Sequence, residues 1–516
     1  MLKTIIGNIL LFFFVVVVLM FSLRGLPGNP TPQEMDSSHW KENGPFELSN
    51  ESGRFALLYS IVENHTFHLS PDLARFSSPD VSYLNKNYVS IFAPSISFLS
   101  IPGYIIGKHF GIAQFGTYAW MALFALLNVI LIRAIAIKLG AEPLAATIAA
   151  LTFLFASPAF SYAVTLYEHH ASTFLILLSF YLLIRFNNVI SLFIIWILYA
   201  FAFTVDYPNL FMMFPIALVA FFRSGVLKQI EQKVLIHISL PKIFTIFGII
   251  FPLAFFMWFN KMSYDNPLRI SGTVDRVVGV NANGSPVFVT GPKAPSITLL
   301  QQADVPTGSF FTFFKPRNML NGLYILFLSP DRGMIVFTPV ILFGGLGIYI
   351  AFKRKRNYLP ILVGIIGINI VLYSMWGDPY GGWAFGARYL VPAYAISAIF
   401  IALLLSYWKR NRLFMLFFFI TLFYSIVINS VGALTSNSNP PKVEAIALSN
   451  ASHKVFDYTY QRNFNLLGAN VSRSFVFQTY ASYYLSAWQY YQYLTVFVLG
   501  IFSFLCFYYV LAEKKL

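Results

Sequence analysis

The sequence predicts an all-α, polytopic transmembrane bundle of about twelve spanning helices, and three observations predict it. Hydrophobic residues make up 57% of the 516 positions and charged residues only 11%, a composition that no water-soluble fold of this size covers with polar surface. The apolar residues fall into separate blocks of about 17 to 25, each long enough to cross a hydrocarbon core of roughly 30 Å as a helix. Lipid offers bare backbone no hydrogen-bond partner, so the blocks are helices.

The expected spans lie near 4–23, 113–132, 145–165, 171–187, 189–205, 208–222, 243–260, 334–352, 358–375, 389–408, 413–433 and 487–511. The first reads as a retained helix, because no clear small-residue cleavage site follows it. Cys506, the only cysteine, leaves no intrachain disulfide and no thiolate metal site. With the N-terminus inside, every short basic connection faces the cytoplasm: Arg133 and Lys138, Arg185, Arg223 with Lys228, Lys233 and Lys242, Lys353 to Arg356, Lys409 with Arg410 and Arg412, and Lys514 with Lys515. This is the positive-inside pattern. It accounts for nearly all of the net charge of +15, so the charge marks an orientation and not a nucleic-acid surface.

Two apolar stretches stay outside the count. Ile91 to Gly107 contains Pro94 and Pro102 and would invert every later loop if it crossed, so it is expected along or dipping into the outer interface. Leu323 to Leu328 is too short to span and, with Ser329-Pro330-Asp331-Arg332-Gly333, reads as a re-entrant turn against the outer face. The outer side then receives segments 24–112, 261–333 and 435–488. They hold the sequons at Asn50, Asn64, Asn283, Asn450 and Asn470. The chain divides into a transmembrane module, residues 1–410, and C-terminal helices, 411–516, carrying the third outer segment.

Ionisable residues near apolar segments are the informative ones, since each costs free energy unless paired or hydrated. Glu51, Glu168, His169, His170, Asp206, Asp378 and Arg388 all fall at outer helix ends or in the first outer loop. In Asn50-Glu51-Ser52-Gly53-Arg54, a carboxylate able to deprotonate a hydroxyl stands three residues before a guanidinium able to hold a phosphate; a helix N-terminal acid with a surface ion pair is the bland alternative. Tyr167-Glu168-His169-His170 suits a divalent metal, held by Glu168 and His169, or a phosphate; a hydrated turn is the structural alternative. Asp206 before Tyr207-Pro208 either caps the next helix or joins a site. The stretch from Trp376 to Tyr389 combines glycines, aromatics, Asp378 and Arg388, which suits close approach to a phosphate or an interfacial belt. Arg332 adds another guanidinium, and Lys86 with Tyr88 a weaker site. No Walker loop, paired dinucleotide glycine turn or His-Glu-x-x-His motif is present.

The order of these features resembles the GT-C superfamily of membrane glycosyltransferases, most nearly the prokaryotic relatives of the protein mannosyltransferase and aminoarabinose transferase branch. A first helix is followed by an outer loop with an acid, Arg54-Phe55-Ala56 and Phe92-Ala93-Pro94; the Tyr-Glu-His-His turn, Asp206-Tyr207-Pro208, the turn at Arg332 and the stretch to Pro392 come next. The resemblance implies transfer, with inversion, of a sugar from a polyprenyl- or dolichyl-phosphate carrier to an extracytoplasmic glycan, lipid or protein. It also implies Glu51 as the acceptor-activating base; Arg54, Arg332, Arg388 and Lys86 toward the lipid phosphate; and Glu168, His169, His170, Asp206, Tyr207 and Asp378 around the sugar or acceptor. Many relatives carry two adjacent acids where Asn50 precedes Glu51 here. The Trp-Trp-Asp signature of oligosaccharyltransferases is absent, Trp376-Gly377-Asp378 standing in the sequence instead. A transporter or flippase of lipid-linked glycans is the rival class; it predicts internal symmetry and mid-membrane charge.

Overall fold

The computed structural model describes residues 2–41, 44–223, 228–230, 233–235, 239–274, 276–288, 314–354, 358–409 and 411–511. Lys355, Arg356, Arg410, Lys514 and Lys515 of the basic connections, and 289–313 of the second outer segment, lie outside them.

Among the described residues the chain is a helical membrane bundle. Five helices are long and apolar enough to span: Ala113–Lys138, Leu240–Tyr264, Arg388–Trp408, Arg412–Leu434 and Ala487–Val510. Seven shorter apolar helices, Leu11–Ser22, Pro143–Phe155, His169–Arg185, Val189–Val205, Phe214–Arg223, Pro339–Lys353 and Leu359–Ser374, complete the expected set.

Three expected spans are broken rather than continuous. The span 145–165 stops at Phe155 and resumes as Ala159–Ala163 after Pro158. The span 208–222 begins with a short turn, Asn209–Met212, before Phe214–Arg223. The span 334–352 is divided into Met334–Phe337, a 3-10 turn at Pro339–Leu342 and Phe343–Lys353. Proline removes a donor and blocks the helical path, and the backbone groups so released need partners inside protein. One pair of breaks supplies this directly: Thr338 Oγ1 donates to the Ala156 carbonyl at 2.5 Å.

Arg388–Trp408 is the central helix. Its backbone lies against Phe343–Lys353, where a Cβ on Gly347 would stand 2.2 Å from the Phe400 carbonyl oxygen, so only glycine permits this approach. Ser95–His109, the expected interfacial helix, runs antiparallel to the start of Ala113–Lys138, with Gly103 and Gly107 against Gly116.

The bundle has two unlike ends. At one, basic connections meet: Lys409 Nζ lies 2.7 Å from Glu142 Oε1, Arg223 donates to the Tyr358 hydroxyl at 2.8 Å, and Arg354 lies over the Tyr407 ring at 4.2 Å. At the other, segments 24–112 and 435–488 fold together. The helix Ser49–Glu63 is joined by a four-stranded antiparallel sheet in the order His68–Leu69, Asn87–Ser90, Val81–Leu84, Arg276–Val277. That sheet ties segment 24–112 to segment 261–333, with Ser82 opposite Arg276.

Candidate functional site

The polar end encloses a cavity of about 580 Å³, walled by the first loop, the Tyr167 turn, the Asp206 turn, the strand at Arg276, and the loop from Trp376 to Tyr389. Of the residues singled out in the sequence, Arg54, Glu168, Asp206, Tyr207, Asp378 and Arg388 line it together.

Two guanidiniums share one aromatic wall. Arg54 forms an ion pair with Glu168, donates to the Asn50 carbonyl at 3.0 Å, and lies 4.7 Å from the Phe92 ring centroid and 5.8 Å from that of Tyr167. Arg388 lies over Tyr167 at 5.2 Å and Tyr389 at 5.3 Å. The Asn50 side-chain amide, oriented with its oxygen toward Arg388, accepts from Nη1 at 2.9 Å and Nη2 at 3.1 Å. Arg388 Nε is buried with no hydrogen-bond partner. A weakly hydrated guanidinium held by ring faces keeps its charge and retains donors for an anion.

The loop beside Arg388 is held by both kinds of backbone group. Asp378 accepts from Tyr380 N at 3.2 Å and Gly382 N at 2.5 Å, while Arg332 takes the Tyr380 and Gly382 carbonyls. Gly381 has φ +73°, and a Cβ there would stand 3.0 Å from Arg388 Nε. Glycine therefore both allows the turn and leaves room for the guanidinium.

Arg332, expected beside the phosphate, is wholly buried and does not line the cavity. It donates to the carbonyls of Asp331 at 2.7 Å, Tyr380 at 3.0 Å, Gly382 at 2.9 Å and Asn439 at 2.8 Å. Lys86 is also away from the cavity: with Asn85 it forms the left-handed turn, φ 51° and 66°, that closes the hairpin between Val81–Leu84 and Asn87–Ser90. His170 is a packing residue. Its Nε2–H donates to the Ala159 carbonyl at 2.7 Å, so Nδ1 is the acceptor facing Asn128 Nδ2 at 3.3 Å. His169 stacks on Tyr167 with ring centroids 5.7 Å apart and sits 3.7 Å from Glu168 Oε1 without lining the cavity. Among the described residues no three His, Cys, Asp or Glu side chains gather as a metal set.

Glu51 stands one layer behind the wall. It is fully buried, its Oε2 accepts from Glu47 N at 3.2 Å, and its Oε1 has no partner. Burial, reinforced by the Glu47 charge, pushes its carboxyl up to about 8. Glu47 lines the cavity in its place. Arg24 Nη1 at 2.6 Å, Arg473 Nε at 2.5 Å and Asn437 N at 2.6 Å clasp it, so three distant parts of the chain meet on one carboxylate. Burial would raise Glu47, but Arg473 and Arg24 hold it below its ordinary value. Burial would also raise Glu168; Arg54, with His169 and Arg388 behind it, draws it down to about 2.

Sequence reasoning missed Glu47, Tyr373 and Asp80 as site residues. Glu47 precedes Glu51 by one helical turn's spacing, which is a usable signal; Tyr373 and Asp80 carry none.

No protein-family model and no curated protein matches the sequence. Solved structures do. The chain is similar to ArnT from Cupriavidus metallidurans in the apo state, at 12% identity over 97% of this chain and 78% of that one, with a TM-score of 0.43. It is similar to the same protein bound to undecaprenyl phosphate, at 14% identity over 98% and 77%, with a TM-score of 0.46. The oligosaccharyltransferase of Archaeoglobus fulgidus, in complex with zinc and sulfate, matches at 13% identity over 88% of this chain and 57% of that one, with a TM-score of 0.43. At these identities the likeness is one of helical layout and fixes no residue correspondence.

Proposed function

We propose that the chain is a membrane glycosyltransferase that moves a sugar, with inversion, from a polyprenyl- or dolichyl-phosphate carrier to an acceptor outside the cytoplasm. In this reading both termini are cytoplasmic, the cavity faces outward, and the transmembrane module of residues 1–410 carries the chemistry. The observation that carries it is the pair of buried guanidiniums, Arg54 and Arg388, on one aromatic wall beside carboxylates, at the end of a lipid-embedded bundle. Such a site suits a lipid-borne phosphate together with a sugar, whose apolar face packs on rings.

As the acceptor oxygen bonds to the anomeric carbon, the carbon–phosphate-oxygen bond breaks and its electron pair leaves with the phosphate. Arg388 and Arg54 neutralise the charge that develops there, an effect worth about 10²–10³ in rate when one such donor is lost. The acceptor's proton passes to a carboxylate. For Glu51 to be that base, its side chain has to turn out from beneath Glu47 into the cavity, and Glu51→Gln measures whether it does.

The test is transfer from a panel of polyprenyl-phosphate sugars by the protein in liposomes. Release of polyprenyl phosphate coupled to sugar transfer supports the reading. Passage of intact carrier across the bilayer without transfer sinks it and makes the chain a flippase.

A further inference from the structure

Five carboxylates line the cavity, and four of them are already occupied. Glu47 is clasped by Arg24 and Arg473; Asp80 accepts from Ser49 at 2.5 Å and Arg276 at 3.3 Å; Glu168 is paired with Arg54; Asp378 binds two backbone N–H groups. Asp206 differs. Its side chain's partner among the described residues is one neutral group, the Tyr373 hydroxyl, which donates to Oδ2 at 3.1 Å.

The sequence left open whether Asp206 merely caps a helix. It does not: the turn Asn209–Met212 starts at Pro208 and has no side-chain cap. Asp206 instead ends the helix Val189–Val205 in extended conformation, its N–H bonded to the Ala202 carbonyl at 3.1 Å. Asn209, donating to Ser172 Oγ and the Ala202 carbonyl at 2.9 Å each, fixes the backbone on the other side. Tyr373 is fixed in turn by stacking on Tyr389, with centroids 4.2 Å apart and planes 10° apart. Tyr389 is the neighbour of Arg388, so the carboxylate and the phosphate-binding guanidinium are positioned by one stack.

We propose that Asp206 is the catalytic base of the transfer, accepting the proton of the acceptor hydroxyl as its oxygen bonds to the anomeric carbon and the carrier phosphate departs, with Tyr373 as its positioning residue. The inference rests on the transferase reading. A carboxylate paired with arginine is a poor proton acceptor, because its charge is already stabilised; one held by a single neutral hydroxyl keeps its basicity. The charged and titratable groups facing Asp206 are Glu168, Arg54, Arg388, Tyr373 and Tyr207, and burial with the Glu168 charge pushes its carboxyl up to about 7, close to where a general base works best.

The experiment compares wild type, Asp206→Asn, Asp206→Glu, Tyr373→Phe and Glu51→Gln in liposomes, with the donor that wild type uses and with polyprenyl phosphate alone as the binding probe. Asp206→Asn is expected to bind polyprenyl phosphate within about twofold of wild type or tighter while turnover falls about 10²–10⁴-fold. Asp206→Glu restores part of it. Tyr373→Phe is expected to move the ascending limb of the pH–kcat profile, expected near 7 in wild type, to higher pH, since the lost hydrogen bond favoured the ionised form; a merely structural tyrosine leaves that limb in place. Turnover by Asp206→Asn near the wild-type rate overturns the proposal while the transferase reading stands, and it is overturned in favour of Glu51 if Glu51→Gln alone abolishes turnover with binding intact. If wild type binds carrier but transfers nothing, both readings fall.

Discussion

The turn at Arg332 and the helix start at Arg388 each bury a guanidinium at the same end of the bundle, 0% and 7% exposed respectively. Around Arg332 stand four carbonyl oxygens, whose lone pairs need donors. Around Arg388 stand two ring faces and one amide oxygen, and Nε is unfilled. A buried guanidinium saturated by backbone fastens a loop, whereas one packed on rings with a donor to spare is ready for an anion. Burial alone does not tell a structural arginine from a binding one; the number of acceptors already in place does.

That contrast is breakable by mutation. The largest effect is expected at Arg388: Arg388→Leu lowers transfer by about 10²–10³-fold and weakens polyprenyl phosphate binding, while the protein still purifies as a folded monodisperse species. Arg332→Leu is expected to act through the fold, since it leaves four buried carbonyls short of donors at about 1–3 kcal/mol each; the yield of folded protein and its melting temperature measure this. If Arg332→Leu instead folds normally and loses only carrier binding, the two roles are reversed.

A smaller, pH-dependent effect belongs to the layer behind the wall. Glu51 has a folded-state value of about 8 against an ordinary 4.5, so its neutral form suits the fold and its ionised form does not. The stability it contributes is therefore full below about 4.5, and it is lost as pH rises through about 8. Glu51→Gln should flatten the fall in melting temperature expected of wild type between about pH 5 and 8; an unchanged slope would mean that Glu51 is not held neutral. The smallest effect is at Lys86, where Lys86→Ala at the exposed hairpin tip should change neither transfer nor stability by more than about 0.5 kcal/mol.

Much of this was legible in the residues. Hydropathy located the twelve apolar helices found among the described residues, and the candidates Arg54, Glu168, Asp206, Asp378 and Arg388 do share one cavity. Glu51 and Glu47 were not separable in the same way. Both precede Arg54 on one short segment, and the choice between them follows from Arg24 and Arg473, which reach Glu47 from remote positions in the chain. The breaks at Pro158 and Pro339 were equally hidden, because a proline in an apolar block does not reveal whether another chain segment will satisfy the backbone it releases.

The sequence by itself determined that the chain lives in a membrane, where its helices run, and which ionisable residues gather at the end of the bundle opposite the basic connections. Those properties depend on local hydrophobicity, helix length and the charge of short connections, all of which are carried by neighbouring residues. Tertiary structure alone decided which arginine is a strut and which carboxylate is left with a neutral partner. Arg332 is saturated partly by Asn439, 107 positions away, and Asp206 meets Tyr373 across 167; the availability of a buried charged group is set by what the fold brings against it, and that is written nowhere in its own stretch of chain.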